Sequence, residues 1–193
     1  MSMRPGLPAK AHRLLAPRIA YLIGTRSAGG EANLIPVSNV TSISTDPQQI
    51  LLAVYKQWLT YDNLNATAGF TLSVPSAAQL EGVWKLGARY SRYDFPDRPA
   101  KLGASRLTIL DRPDMFGPVL AEGLGWLSCR TVQRLDFGGD HGVYVGEVVH
   151  VEFNTDVFGD DGRPLTELRP LMQVTGNHFS TASETITIPY GNE

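Results

Sequence analysis

The sequence predicts a mainly β fold, an antiparallel β-barrel with short helices, and three observations predict it. Roughly seven runs of apolar or alternating residues, each of strand length, are separated by turn-forming Gly, Pro, Asp and Asn. Only two stretches, residues 59–67 and 76–86, change to a helical period. There is no strand–helix–strand alternation of the kind that builds a parallel sheet. With 193 residues, 42% of them hydrophobic, the chain can bury one good core. One domain is therefore expected over 1–193, with a core from about 18 to 170, an N-terminal arm 1–17 and a C-terminal extension 171–193.

In chain order, residues 9–15 predict a short helical turn before Pro17, and 18–25 (RIAYLIGT) a buried strand. The SAGG of 27–30 is a turn between antiparallel strands. A second strand is expected over about 35–44 and a third over 50–55, apolar at nearly every position. Asp46-Pro47 joins them, Asp bonding its own backbone and Pro fixing its dihedral. The helix at 59–67 is expected to take Thr60 as its cap, and the helix at 76–86 takes Ser76. Between them 70–74 alternates as a strand does. Residues 87–103 (GARYSRYDFPDRPAKLG), polar, aromatic and broken by proline, predict a long ordered loop of functional character. Strands follow at 125–135 and 143–153 with DFGGDHG turning between them, and GDDGR at 159–163 is a further turn. Two final short strands are expected at 171–175 and 185–189, with Asn177, His178 and Phe179 between.

Composition excludes several classes of function. Lys and Arg number 17 against 19 Asp and Glu, a net charge of −2, which leaves no electrostatic footprint for nucleic acid or an anionic membrane. The early apolar run is interrupted by Pro17 and Arg18 and is too short for a membrane span, so a soluble cytoplasmic protein is expected. A single Cys129, inside an alternating strand, reads as a buried core thiol. His12, His141, His150 and His178 lack metal-ligand spacing, so no metal is expected. The chain contains no G-x-G-x-x-G after a strand, no P-loop and no G-x-S-x-G elbow.

What stands out is 33–63, dense in Asn, Ser and Thr with one lysine among them. Short hydroxyl and amide donors along strand ends suit an oxygen-rich ligand such as a phosphorylated cofactor. By itself Thr60-x-x-Asn63 is equally well explained as helix capping, and His141 in DFGGDHG as part of a polar turn.

The fragments Asn33-x-x-Pro36-x-Ser38, Ser44-x-Asp46-Pro47, Thr60-x-x-Asn63, Gly139-Asp140-His141 and Val145-Gly146-Glu147-Val148 occur in that order. Together they resemble the flavin reductase-like family, whose pattern N-x-x-P-x-S…S-x-D-P…T-x-x-N-I…G-D-H…I-G-E-V spans roughly 18–170 here. The resemblance implies an FMN-binding split β-barrel that forms a homodimer with flavin near the subunit boundary. It implies NADH or NADPH as electron donor, FAD as an alternative flavin substrate, and in some members a monooxygenase partner that receives reduced flavin. Other members hold FMN as electron carriers or ferric reductases without a nicotinamide site, and an empty-pocket interaction protein is the remaining alternative.

Carried over residue by residue, Asn33, Pro36, Ser38, Asn39 and Val40 are expected along the flavin ring and ribityl chain, and Ser44 near its ribityl or phosphate end. Lys56, Thr60 and Asn63 are expected to receive the phosphate, with Trp58 beside them. His141 is expected to orient the donor or stabilise reduced-flavin charge. The stretch with Arg89, Ser91, Arg92, Asp94 and Phe95 resembles the family's S-x-x-x-D-K-F segment and is expected to meet nicotinamide or substrate. Phe95-Pro96 stands there in place of Lys-Phe, which leaves Arg92 or Arg98 to supply the charge. Trp84 and Trp126 are expected in the core.

Overall fold

In a computed structural model of the chain, which describes residues 3–183, strands dominate as the alternation requires. The 18–25 strand is two strands, β1 (Arg18–Ile19) and β2 (Tyr21–Arg26), because β1 pairs with a late strand while β2 enters the main sheet. The 35–44 strand likewise divides into β3 (Ala32–Val37) and β4 (Val40–Thr45), interrupted at Ser38 and Asn39. After the Asp46-Pro47 turn comes β5 (Gln48–Tyr55), then helix α1 (Leu59–Ala66) and β6 (Gly69–Val74).

A single 3-10 turn (Ala77–Gln79) then leads into α2 (Leu80–Leu86), entered through the capping box between Ser76 and Gln79. Where a loop is expected, 87–103 instead holds α3 (Ala88–Ser91) and the start of α4 (Arg98–Ser105). Proline does not break α4 because Pro99 sits in its first turn, where the missing N–H costs nothing, and Asp97 caps Ala100 N at 2.7 Å. Two-residue strands β7 (Ile109–Leu110) and β8 (Val119–Leu120) were too short for a periodic signal. The long hairpin of β9 (Gly125–Leu135) and β10 (His141–Phe153) follows.

The chain is described last in β11 (Met172–Thr175) and β12 (His178–Ser180), so His178 and Phe179 lie in a strand rather than between two. Gly176, at φ +53°, makes the tight turn between them. The strand expected at 185–189 lies outside the described residues.

Seven strands form one sheet in the order β3-β2-β6-β9-β10-β5-β4. β3 and β4 stand at its opposite edges, yet only Ser38 and Asn39 separate them. That connection spans about 11 Å at most. The sheet must therefore curl until its edges nearly meet, which makes a split β-barrel open beside residues 38–39. Its interior is filled by Ile23, Leu52, Val54, Phe70, Leu72 and Tyr144, among others. Gly146 in β10 is required there, since a Cβ would come within 2.7 Å of the Phe70 ring.

A second core lies on the outer face, where Val83 and Leu86 of α2 cover Leu22 and Leu34. β2 is thus buried on both sides, Ile23 inward and Leu22 outward, which explains its unbroken apolar run. Among the described residues no helix is long and apolar enough to cross a membrane.

Candidate functional site

The helical insert α2–α4 and the β11–β12 hairpin do not close completely on the barrel. Between them and β3 lies a cavity of about 780 Å³. Its floor is the end of β3, the 38–39 crossing and the start of α1; its aromatic walls are Trp58, Trp84, Tyr90, Tyr93, Phe95 and Phe179. The walls brace one another: Trp84 meets Tyr90 and Phe179 edge-on at 6.0 and 5.8 Å, and Tyr93 stacks on Phe95 at 5.9 Å. Trp84 therefore serves the cavity wall rather than the core expected for it, whereas Trp126 is buried.

Polar groups run along the floor as a connected chain. Asn33 is buried and donates from Nδ2 to Thr60 Oγ1 at 2.9 Å. Its Oδ1 accepts from Lys101 Nζ at 2.9 Å, and Lys101 also donates to the Leu34 carbonyl at 3.2 Å. Thr60 is not the helix cap. Trp58 occupies that position without a side-chain cap bond, and Thr60 points its oxygen at Asn33 instead. At the crossing, Asn39 Oδ1 accepts from Arg18 at 2.6 Å, and Ser38 lies 3.4 Å from Gln173 of β11.

Of the residues singled out in the sequence, Asn33, Pro36, Ser38, Asn39, Trp58, Thr60, Arg89, Asp94, Phe95 and Arg98 line this cavity, as does Trp84. Val40, Ser44, Lys56, Asn63, Ser91, Arg92 and His141 are not among its lining residues. Val40 packs on the barrel core, and Ser44 sits beside an irregularity in the β4–β5 pairing. Lys56 is bound by the Asp136 carboxylate at 2.8 and 2.9 Å; this bond, and the Gly138 N–H, hold Asp136 below the usual carboxylate range. Asn63 is buried and donates to Thr25 Oγ1 at 3.0 Å, tying α1 to β2. Ser91 donates to the Ala88 carbonyl, and Arg92 ends α3 in a left-handed conformation at φ +65°.

His141 opens β10, opposite Tyr55 in the β5 register. Its Nδ1 lies 2.6 Å from Asp140 Oδ1, a contact that lowers the Asp140 pKa. The His141 ring stands 5.6 Å from Tyr55, and Tyr55 stands 5.8 Å from Trp58, so one aromatic ring separates His141 from the cavity wall.

The cavity's cations are Arg89, Arg98 and Lys101. Lys101 is the residue that sequence reasoning missed. Burial, with Arg98 nearby, brings its pKa from 10.5 down to about 8. Arg98 pairs with Glu31, while its Nη1 is buried and makes no hydrogen bond among the described residues. The signal that would have found Lys101 is Asp97 followed by Pro99, a helix start that places position 101 one turn from Arg98 on the same face.

Four similarities to known proteins bear on this arrangement. An uncharacterised protein of Pyrococcus abyssi is 28% identical over 177 residues, covering 92% of this chain and 97% of that one. An NADH-dependent FAD reductase of Streptomyces globisporus is 28% identical over 124 residues, 63% of each chain. The crystal structure of an FMN-binding protein from Thermus thermophilus superposes with a TM-score of 0.79 at 21% identity, over 98% of this chain and 99% of its own, a likeness of fold. Residues 13–180, which include the barrel, the helical insert and the cavity between them, match the flavin reductase like domain, and the chain belongs to that family.

Proposed function

We propose that this protein is an FMN-binding NAD(P)H:flavin oxidoreductase, passing hydride from NADH or NADPH to flavin, with FMN as bound cofactor or substrate and FAD as an alternative substrate. One observation carries the reading. Asn33, Pro36, Ser38, Asn39, Trp58 and Thr60, dispersed over the first third of the chain, converge on a single aromatic-walled cavity of about 780 Å³. That volume falls within the range of cofactor pockets, and its mixture of flat apolar walls and a polar floor suits a ring system bearing a polar tail. The orphaned Nη1 of Arg98 is a buried donor for which an anionic ligand group would supply the acceptor.

Bound flavin supplies the two-electron acceptor; the chain supplies position and exclusion of water. Trp58 and Trp84 of the cavity wall would pack against the ring, and Ser38 and Asn39 of its floor would offer polar groups to it. The Asn33–Thr60 pair fixes the entry of α1 against β3, so these donors are already oriented before a ligand arrives. His141 orients the nicotinamide or stabilises negative charge on reduced flavin. It lies outside the cavity wall, beyond Tyr55, and in a homodimer whose boundary lay near the flavin it would meet the nicotinamide from that side. A monooxygenase that receives reduced flavin is the natural partner of such an enzyme, and the similarity to an NADH-dependent FAD reductase supports the nicotinamide assignment.

The second reading is an FMN-binding electron-transfer protein without its own nicotinamide site. It is favoured by the place of His141 outside the cavity and by Phe95-Pro96 standing in place of Lys-Phe. The purified protein separates the two through its visible absorbance, followed by NADH and NADPH oxidation with FMN or FAD added. The reductase oxidises a pyridine nucleotide only when flavin is present, and His141→Ala lowers turnover with little change in flavin affinity. A yellow protein that oxidises neither nucleotide overturns the reductase and leaves the carrier. Absence of flavin binding by titration removes both.

A further inference from the structure

We propose that Lys56 is a positioning residue for His141: it fastens the turn 136–140 to the end of β5 and so sets where the imidazole stands beside the cavity wall. The inference rests on the reductase reading of His141 and adds to it the residue through which that side chain is held. The sequence pattern points to Lys56 as a ligand for phosphate, but its contacts give it a different task.

Lys56 is the first residue after β5 and grips the turn twice. Its backbone N–H donates to the Asp140 carbonyl at 2.9 Å, adding a rung just beyond the His141–Tyr55 pair of the ladder. Its ammonium donates to both oxygens of the Asp136 carboxylate, at 2.8 and 2.9 Å. Asp136 Oδ1 in turn accepts from the Gly138 N–H at 2.8 Å. The first and last residues of the turn are thus both bound to one lysine.

The turn has little else to fix it. Gly138 and Gly139 form its middle, Gly138 at φ +77°, and a Cβ on either would meet nothing within 4 Å. Paired glycines in open space leave the backbone many alternative conformations. Phe137 is 77% exposed and gives no apolar anchor. The Lys56 ammonium is therefore the side-chain link that carries the order of β5 into the turn.

From there the effect reaches the cavity through two rings. Asp140 Oδ1 lies 2.6 Å from His141 Nδ1, and a carboxylate in that place accepts the Nδ1 proton and leaves Nε2 as the free nitrogen of the neutral ring. The His141 ring stands 5.6 Å from Tyr55, and Tyr55 stands 5.8 Å from Trp58 of the wall. Trp58 N–H closes a turn onto the Tyr55 carbonyl at 3.0 Å, so Lys56 sits inside the turn that brings Trp58 to the wall while it holds the turn that ends at His141. A partly solvated ion pair adds little to global stability. Placement matters far more to a reacting group, since a shift of about 1 Å lowers turnover by up to about 100-fold.

The test combines steady-state oxidation of NADH and NADPH with added FMN, fluorescence titration of FMN, and the His141 ring-proton NMR shifts of flavin-free protein. It compares the unaltered chain with Lys56→Met, Lys56→Arg, Asp136→Asn, His141→Ala and the Lys56→Met, His141→Ala double variant, each checked for native circular dichroism. Lys56→Met should lower kcat about tenfold with flavin affinity unchanged. It should also move the His141 ring-proton shifts, which the Tyr55 ring displaces, toward those of free imidazole. Asp136→Asn should do both to a smaller extent, and Lys56→Arg, which still donates to both carboxylate oxygens, should restore both. Turnover of the double variant should equal that of His141→Ala alone, because the lysine acts only through the histidine.

Unchanged His141 ring shifts in Lys56→Met overturn the positioning role whatever the turnover. So does a loss of turnover that multiplies with that of His141→Ala, or one that takes the form of weaker flavin binding. If the unaltered protein oxidises neither nucleotide, or His141→Ala turns over as the unaltered protein does, the reductase reading of His141 has failed; moved ring shifts in Lys56→Met would still show that the lysine holds the ring.

Discussion

Replacing Asn33 with Ala should expose how much of the site's order is held by one side chain. Asn33 is almost fully buried, and its amide joins Lys101 Nζ and Thr60 Oγ1, each at 2.9 Å. The bond to Thr60 is neutral and contributes about 1 kcal/mol, whereas the bond from the lysine ammonium contributes roughly 2 kcal/mol. The variant should therefore be less stable by about 3 kcal/mol at pH 7, a sizeable share of a typical domain's stability. Lys101 loses its charge through about pH 8 in the folded chain, so by pH 9.5 its bond to Asn33 has become a neutral one. The deficit should then shrink to about 2 kcal/mol. Urea denaturation of flavin-free protein at the two pH values, followed by tryptophan fluorescence, measures both numbers. A deficit under about 1 kcal/mol at pH 7, or one that does not fall by pH 9.5, would refute the account of the Lys101–Asn33–Thr60 chain.

Other expected outcomes follow from the same contacts. The folded pKa of Lys101, about 8, lies below the unfolded value of 10.5. Between those values the unfolded chain holds a proton that the folded chain has released, so stability rises with pH across that window. Relative to Lys101→Met, the unaltered protein should gain about 2 kcal/mol from pH 7 to 9.5 in urea titrations, and a loss over that range would contradict the burial of the ammonium. Gly146→Ala places a methyl 2.7 Å from the Phe70 ring and should cost about 2 kcal/mol through overpacking; combining it with Phe70→Leu should recover part of that loss. Lys56→Met removes an ion pair whose carboxylate is largely exposed and should change stability by less than about 1 kcal/mol, as read from the thermal midpoint. Ser76→Ala deletes the capping box at the entry to α2 and should cost about 1 kcal/mol by the same measurement.

The sheet was legible because alternation and turn residues act locally. β9 runs over the residues its alternation predicts, and the Asp46-Pro47 turn between β4 and β5 needs nothing beyond its own chemistry. The break at Ser38 and Asn39 was not legible, since both halves of 35–44 favour a strand and only the curl of the sheet sends them to opposite edges. The insert misled for a different reason. Pro99 resembles a helix breaker in isolation and becomes harmless only because Asp97 caps the turn ahead of it.

By itself, then, the sequence determined the β class, the family pattern and the small polar residues that end on the cavity floor. These depend on neighbouring residues or on spacing along the chain. The tertiary structure decided which lysine lines the cavity. Lys56 follows the motif, but Asp136, eighty residues away, claims it. Lys101 belongs to no motif, yet the packing of α4 against β3 buries its ammonium beside Asn33 without a carboxylate partner among the described residues. Pairing of charges is settled by distance in space, and that distance is fixed only when the barrel and its helical insert come together.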